Sequence, residues 1–162
     1  MSTCYTEMES PVGTLLLAAD EEGLRLINFQ KGKHAQRPRE GWKMDAAPLQ
    51  ETMRQLKAYF GAELHDFDLR LAPEGTGFQR AVWLALCDIP YGETISYGDL
   101  ARRIRKPKAV RAVGTANGAN PIPIVIPCHR VIGSNGKLTG YGGGLDIKEK
   151  LLALEQKQMR LL

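Results

Sequence analysis

A cysteine, a histidine and an arginine stand side by side in Pro127-Cys128-His129-Arg130-Val131. The reactive form of cysteine is the thiolate, and an ordinary thiol has a pKa of about 8.5, so only a few per cent is ionised at neutral pH. A neighbouring imidazole can take the thiol proton. This adjacency predicts that Cys128 is a nucleophile and that His129 helps to activate it.

The apolar segment Ile122-Pro123-Ile124-Val125-Ile126 comes directly before this motif. Its length and its β-branched residues predict a buried strand, and Pro127 fixes the backbone at the end of it. Neighbouring side chains of a strand point to opposite faces. Contact between Cys128 and His129 therefore requires either a bend at Pro127-Cys128 or a bridging water.

The first part of the chain predicts strands and one helix. Apolar runs at 15–19 and 24–29 flank a polar turn that ends in glycine, a pattern typical of a β-hairpin. Residues 49–60 have helical spacing and are followed by Gly61, which predicts a helix end. Residues 67–71 alternate between apolar and polar, as in a strand.

The second part predicts helices. Residues 78–89 have helical spacing, and Cys87 is expected to pack among them as a small hydrophobe. Ser96-Tyr97-Gly98-Asp99 has the form of a capping box and predicts the start of a second helix. Lys106-Pro107 predicts the start of a third, because proline suits a first helical turn. Two short helices joined by a few residues form a helix-turn-helix.

We therefore expect a mixed α/β (α+β) fold with two domains. Residues 72–77 have the composition of a linker. Residues 1–75 are expected to form a small antiparallel sheet with a helix, and residues 76–162 a mostly helical domain with the helix-turn-helix. No apolar run approaches the roughly 20 residues that span a bilayer, and the N-terminus lacks signal-peptide features. We expect a cytoplasmic protein, or a nuclear one in a eukaryote, that has no membrane partner.

The charge is distributed unevenly along the chain. Residues 1–75 hold nine Lys or Arg against twelve Asp or Glu, a balance of −3, whereas residues 76–162 hold thirteen against six, a balance of +7. Six basic residues and no acidic one lie between Arg102 and Arg111. Such a run is often just a solvated face, but one basic half is also the footprint of a nucleic-acid binder.

The three cysteines, Cys4, Cys87 and Cys128, lie far apart and form no Cys-x-x-Cys pair. This spacing predicts free thiols and argues against a compact zinc site. In the N-terminal part Cys4 and His34 are the only nearby candidate ligands. We expect no metal and no cofactor.

Several blocks of the sequence resemble, in order and spacing, the O6-alkylguanine-DNA alkyltransferase family. The resemblance extends over roughly half of the chain, from Phe78 to Glu155. Its blocks are the Pro-Cys-His-Arg-Val motif, Ala112-Val113-Gly114, Asn120-Pro121 and Tyr141-Gly142-Gly143-Gly144, with a weaker match at Ser10-Pro11-Val12-Gly13.

The resemblance implies DNA repair by direct reversal. Cys128 would take a methyl or larger alkyl group from O6-alkylguanine, once and irreversibly, after minor-groove binding and nucleotide flipping. O4-alkylthymine is a further candidate substrate. The implied partner is double-stranded DNA that contains alkylated bases, no cofactor is implied, and a monomer is the default expectation.

The resemblance also implies roles for individual side chains. His129 would act on Cys128 through a water, and Glu155 would orient His129. Tyr97 would crowd a phosphate and so promote nucleotide flipping, and Asn120 would brace the turn before the reactive segment. The chemistry of the transfer requires a proton for the departing base, and we expect Tyr97 to donate it.

Further residues are implied in contacts to DNA and to the flipped base. Arg111 would fill the gap that the flipped nucleotide leaves. The other expected DNA contacts are Tyr97, Gly98, Gln79, Lys106, Ala112 and Ser134. The expected lining of the base pocket is Tyr141, Gly142, Gly143, Pro123 and Val131.

Three other functions are compatible with parts of the pattern. A helix-turn-helix regulator would bind one DNA sequence and perform no chemistry. A cysteine hydrolase would use Cys128 and His129 over many turnovers, although no clear oxyanion site is evident. A lesion sensor of the alkyltransferase-like class would lack the cysteine, so the presence of Cys128 argues against it.

Overall fold

The computed structural model describes residues 2–136, 138 and 141–160. The chain divides into two compact units, one that ends at Glu74 and one that begins at Gly75. The boundary expected from the sequence lies after residue 75. Among the described residues, no helix is long and apolar enough to cross a membrane.

A four-stranded sheet forms most of the first unit. Its strands are β1 (Cys4–Met8), β2 (Leu15–Asp20), β3 (Gly23–Phe29) and β4 (Lys43–Met44), in the spatial order β3-β2-β1-β4. The predicted hairpin is confirmed as the antiparallel pair β2 and β3. The sheet is not purely antiparallel, because the short β4 pairs with β1 in parallel.

Helix α1 (Gln50–Phe60) packs in the first unit and is followed by Gly61, as predicted. The strand predicted over 67–71 is wrong, because only Leu71 forms a bridge, with Leu24 of β3. The side chain of Gln55 explains the difference. Its amide nitrogen donates to the Asp68 carbonyl at 2.9 Å and its oxygen accepts from the Asp68 N–H at 2.9 Å. Both backbone groups of Asp68 thus have a side-chain partner in place of a neighbouring strand.

The second unit contains helices α2 (Gly77–Leu86), α3 (Tyr97–Arg103), α4 (Val110–Gly118) and α5 (Leu145–Arg160). A parallel pair of two-residue strands, β5 (Ile95–Ser96) and β6 (Val131–Ile132), lies among them. The α+β fold class and the predicted helix-turn-helix, formed by α3 and α4, are confirmed.

The ends of these helices follow from local contacts. Thr76 and Gln79 form a capping box at the start of α2, and Ser96 and Asp99 form the predicted one at the start of α3. Helix α2 ends at Leu86, so the side chain of Cys87 is exposed, and the expectation that it packs in the core is wrong.

The third helix begins later than predicted. The N–H of Ala109 donates to the carbonyl of Lys106 at 2.9 Å, so a turn that contains Pro107 precedes α4, which starts only at Val110. The indole N–H of Trp83 donates to the carbonyl of Ala116 at 2.8 Å, and this buried bond fixes α4 against α2.

The segment 122–126 is buried, as predicted, but it is not a strand. Asn120 closes it into a compact turn, because its amide nitrogen donates to the Ile126 carbonyl at 2.8 Å and its oxygen accepts from the Ile122 N–H at 2.9 Å. The N–H of Ile126 also donates to the carbonyl of Ile122 at 2.9 Å, and Ile124 takes a left-handed backbone conformation with φ of 74°. This turn leads into a 3₁₀ turn, Cys128–Arg130.

Candidate active site

The sulfur of Cys128 lies among polar side chains in a buried position. The residue is only 5% exposed, and its thiol is hydrogen-bonded by Asn120 and Tyr141. Burial raises the pKa of the Cys128 thiol, because it disfavours the charged form. The two hydrogen bonds and the positive charge of Lys148 act in the opposite direction and favour the thiolate. Asn120 therefore both shapes the turn and contacts the reactive group.

His129 follows Cys128 in the chain, is fully buried and contacts Glu155. Its Nε2 lies 2.6 Å from Oε2 of the Glu155 carboxylate, which is also fully buried. Burial lowers the pKa of His129, and the hydrogen bond and charge of Glu155 offset part of this effect. Helix α5 holds Glu155 by burying Leu151 and Leu152 on the same side. The expected pair of His129 and Glu155 is thus present as a direct contact.

Arg130 completes this buried group. Its Nε donates to Glu155 Oε1 at 2.8 Å, its Nη2 donates to Glu155 Oε2 at 3.1 Å, and its Nη1 donates to the carbonyl of Ile89 at 2.7 Å. Burial alone would raise the pKa of Glu155, but the hydrogen bonds and charges of His129 and Arg130 hold this pKa well below its usual range. The sequence identified Arg130 as part of the motif but gave it no role in the site.

Lys148 is a second functional candidate that the sequence analysis missed. It is fully buried in α5, and its Nζ donates to the carbonyl of Val131 at 2.7 Å. Burial lowers the pKa of Lys148, and the nearby thiolate form of Cys128 opposes this shift. A signal was present in the sequence, because positions 148, 151, 152 and 155 have the i, i+3, i+4, i+7 spacing of one helix face.

The expected pocket residues lie in three segments of the second unit. Val131 in β6 and Pro123 in the Asn120-braced turn are buried. Tyr141 is half-buried and hydrogen-bonds the Cys128 thiol, whereas Gly142 is exposed and Gly143 half-buried in the turn before α5. Tyr141 therefore joins this turn directly to the reactive sulfur.

A groove of about 690 Å³ runs along the outer face of α4. Its lining includes three of the expected DNA contacts, Arg111, Ala112 and Gln79, together with Lys108 and Thr115. Arg111, Ala112 and Thr115 are exposed, so the outer face of α4 carries one long cationic side chain among small ones.

Gln79 already has a structural partner. Its side-chain oxygen accepts from the N–H of Thr76 at 2.9 Å, and its own N–H donates to Thr76 Oγ1 at 3.1 Å. A contact from Gln79 to DNA would have to coexist with this helix cap or would have to use the amide nitrogen.

The remaining expected DNA contacts do not line the groove. Tyr97 is the first residue of α3 and is half-buried, with its ring against Gly114 of α4, and Gly98 follows it. Lys106 is exposed in the turn between α3 and α4, and Ser134 is exposed in the turn after β6.

The cysteines differ in exposure and are free thiols. Cys4 is half-buried, Cys87 is exposed and Cys128 is buried. Within the described part of the chain, no group of three or more His, Cys, Asp or Glu side chains is placed to hold a metal ion.

Comparison with known proteins assigns both units to one family. Residues 77–157 match the 6-O-methylguanine DNA methyltransferase DNA-binding domain, and residues 3–73 match the ribonuclease-like domain of 6-O-methylguanine DNA methyltransferase. A methylated-DNA–protein-cysteine methyltransferase of Methanosarcina acetivorans is 59% identical over 93% of this chain and 97% of its own length.

Solved structures agree with this assignment. The crystal structure of Mycobacterium tuberculosis O6-methylguanine methyltransferase is 48% identical, with a TM-score of 0.89, and the match covers 96% of this chain and 94% of that one. The structure of M. tuberculosis OGT in complex with DNA matches with the same identity, TM-score and coverage.

Proposed function

The chain belongs to the 6-O-methylguanine DNA methyltransferase family, and we propose that Cys128 receives the alkyl group that it removes from the O6 of guanine in DNA. The observation that carries this assignment is the buried group of Cys128, His129 and Glu155, in which the cysteine is followed in the chain by a histidine whose imidazole contacts a carboxylate at 2.6 Å. This is the arrangement in which a base is oriented by a third group to activate a nucleophile.

The reaction is an in-line displacement at the alkyl carbon. The proton of Cys128 passes to His129 through a water, and the sulfur then forms a bond to the carbon as the bond from carbon to the guanine oxygen breaks. The electron pair stays with the base, which takes a proton from Tyr97 and becomes ordinary guanine. The product on the protein is a thioether, which has no easy leaving group, so each molecule reacts once.

The groove along α4 is the proposed contact to double-stranded DNA. Its exposed Arg111 lies beside the small side chains of Ala112 and Thr115, which let a helix approach a narrow groove closely. Arg111 occupies the space left by the flipped nucleotide. Tyr97, Gly98, Lys106, Ser134 and Gln79 complete the contact with the phosphates and the minor groove. Alkylated bases pair poorly, so they cost less to extrude.

The extruded base lies against Tyr141, Gly142, Gly143, Pro123 and Val131. Tyr141 already bonds the Cys128 thiol, and Asn120 braces the turn that carries it. O4-alkylthymine presents the same oxygen-bound alkyl group and is the second substrate that we propose for testing at this site. Because the proposed substrate is double-stranded DNA, we infer that the protein acts in the cytoplasm, or in the nucleus of a eukaryote.

Transfer of a labelled methyl group tests this function. Duplex DNA with labelled O6-methylguanine should pass its label to the protein until about one methyl is bound per chain, and Cys128→Ala should take none while it still binds the duplex. Continuous release of label into solution would instead indicate a hydrolase. Tight binding to one sequence without any transfer would indicate a regulator.

Replacement of Arg111 tests the role of the groove. Arg111→Ala should slow repair of duplex by about tenfold or more, which corresponds to about 1.4 kcal/mol, and should affect free O6-methylguanine base much less, because only the duplex requires extrusion. Lys57→Ala is the matched control, since it removes one positive charge from an exposed residue of the first unit that does not line the groove. Equal losses on both substrates would exclude Arg111 from base extrusion.

A further inference from the structure

The carboxylate of Glu155 has a donor at each of its acceptor positions. Oε1 accepts from Arg130 Nε at 2.8 Å and from the N–H of Gly92 at 3.3 Å. Oε2 accepts from Arg130 Nη2 at 3.1 Å and lies 2.6 Å from His129 Nε2. An ionised carboxylate offers about four lone-pair sites, so a proton could bind to Glu155 only if one of these contacts were lost.

Arg130 is fixed in this position from other sides as well. Its Nη1 donates to the carbonyl of Ile89 at 2.7 Å, and its guanidinium lies 5.6 Å from the centre of the Tyr91 ring. The residue is 5% exposed. The guanidinium of Arg130 is therefore held beside Glu155 and away from solvent.

The contact to an acceptor-only carboxylate determines the tautomer of His129. Nε2 must carry the hydrogen that Glu155 accepts, so in the neutral imidazole Nδ1 holds the lone pair. Nδ1 is buried, and no described residue forms a hydrogen bond with it. Nδ1 is thus the nitrogen that is available to receive the proton of Cys128.

We propose that Arg130 is a positioning residue of this site. It pairs with both oxygens of Glu155 and balances the negative charge of the carboxylate, which would otherwise favour protonation of His129. The imidazole therefore stays neutral, with a lone pair on Nδ1. This role rests on the proposed alkyl transfer, in which His129 takes the thiol proton.

The charges around His129 give the direction of the effect. Glu155 faces it from α5 and favours the imidazolium, whereas Lys148 from α5 and Arg130 from the same 3₁₀ turn disfavour it, and the thiol of Cys128 is its neighbour in the chain. Tyr91 lies near Glu155 as a further titratable group. If Arg130 were removed, the negative charge of Glu155 would no longer be balanced by the guanidinium, and it would stabilise the protonated form of His129. Both ring nitrogens would then be donors, and neither could accept the thiol proton.

A titration of the His129 ring nitrogens by ¹⁵N NMR tests this role in the free protein. In the unmodified protein His129 should be neutral at pH 7, with its hydrogen on Nε2. In Arg130→Met the pKa of His129 should rise by about one unit or more. The pH below which methyl transfer slows should move upward by the same interval, with near-normal rates above it.

Three further variants separate charge from structure. Arg130→Lys keeps the charge and should largely restore the normal titration of His129. Arg130→Gln can still donate to Glu155 but carries no charge, so it should raise the pKa of His129 as Arg130→Met does. It also provides the test if Arg130→Met does not fold. Trp83→Phe removes a buried hydrogen bond of the same unit and should lower stability without moving the titration. In Glu155→Gln, where no carboxylate remains, adding Arg130→Met should no longer raise the pKa of His129.

Two results would overturn the assignment. One is an unchanged titration of His129 in both Arg130→Met and Arg130→Gln, and the other is a transfer rate that falls by the same factor at every pH. Failure of the proposed function is a separate observation, because it would appear as absence of label transfer in the unmodified protein, whereas the titration requires no DNA.

Discussion

The two units of the chain differ in whether they bury acidic and basic side chains. Among the described residues of the first unit, the ion pairs of Arg25 with Asp20 and of Arg54 with Glu51 lie at or near the surface, and the buried polar side chains are the uncharged Thr52 and Gln55. The described part of the second unit buries four acidic or basic side chains near the thiol of Cys128: His129, Arg130, Lys148 and Glu155.

This difference separates a stabilising core from a reactive one. Removing a charge from water costs several kcal/mol even when a partner is present, and apolar residues of similar volume often stabilise a fold more. A cluster of buried charges beside a nucleophilic thiol is therefore better explained by chemistry than by stability. The core of the first unit buries apolar side chains rather than charged ones, whereas the second unit buries charged side chains around Cys128.

The largest expected effect comes from removing the buried carboxylate of Glu155, and it is measured as a loss of stability of the second unit. Glu155→Ala should lower the free energy of unfolding of the second unit by about 3–5 kcal/mol, because Arg130 and His129 lose their buried acceptor. Gln55→Ala, the matched loss of a buried hydrogen-bonding side chain in the first unit, should cost about 1–3 kcal/mol. The two tryptophans report on the units separately, since Trp42→Phe leaves Trp83 as the fluorescence probe and Trp83→Phe leaves Trp42.

The Glu155 effect should also depend on pH. The pKa of Glu155 in the fold is held below the ordinary value of 4.5, so its stabilising contribution is present above that pH and is lost as the pH falls. The difference in urea stability between Glu155→Ala and the unmodified protein should accordingly shrink in acid. A loss as large or larger in Gln55→Ala would remove the contrast between the units.

Features that depend on contacts within a few residues could be predicted from the sequence. The hairpin of β2 and β3, the capping box of Ser96 and Asp99, and the end of α1 at Gly61 follow from local chemistry. Cys128 was also evident as a candidate nucleophile, because a cysteine and a histidine stand side by side in the chain.

Features that depend on side chains far away in the chain could not be predicted from the sequence. Two segments with strand patterns are not strands, because the amides of Gln55 and Asn120 bind their backbone groups and replace a neighbouring strand. Periodicity reports which face is buried but not what satisfies the backbone. Arg130 likewise gained its role only from a carboxylate that is 25 residues away in the chain.

Lys148 offers the smallest test of the contrast, because its positive charge acts on the thiol of Cys128 and its Nζ donates to the carbonyl of Val131. Burial raises the pKa of Cys128 and the positive charge of Lys148 opposes this shift, so Lys148→Met should raise that pKa further. Methyl transfer should then slow at neutral pH and recover as the pH rises.

Lys148→Met and Glu155→Ala are expected to differ in their effect on the stability of the second unit. Burial lowers the pKa of Lys148, which means that the fold disfavours its charged form, and an apolar side chain of similar length should be tolerated there. The ultraviolet absorbance of the thiolate during a pH titration measures the change, and Lys150→Met, an exposed lysine on the same helix, is the control. If Lys148→Met destabilised the second unit as strongly as Glu155→Ala while the thiol titration stayed unchanged, Lys148 would be structural, and the buried charges would no longer form one group around the sulfur.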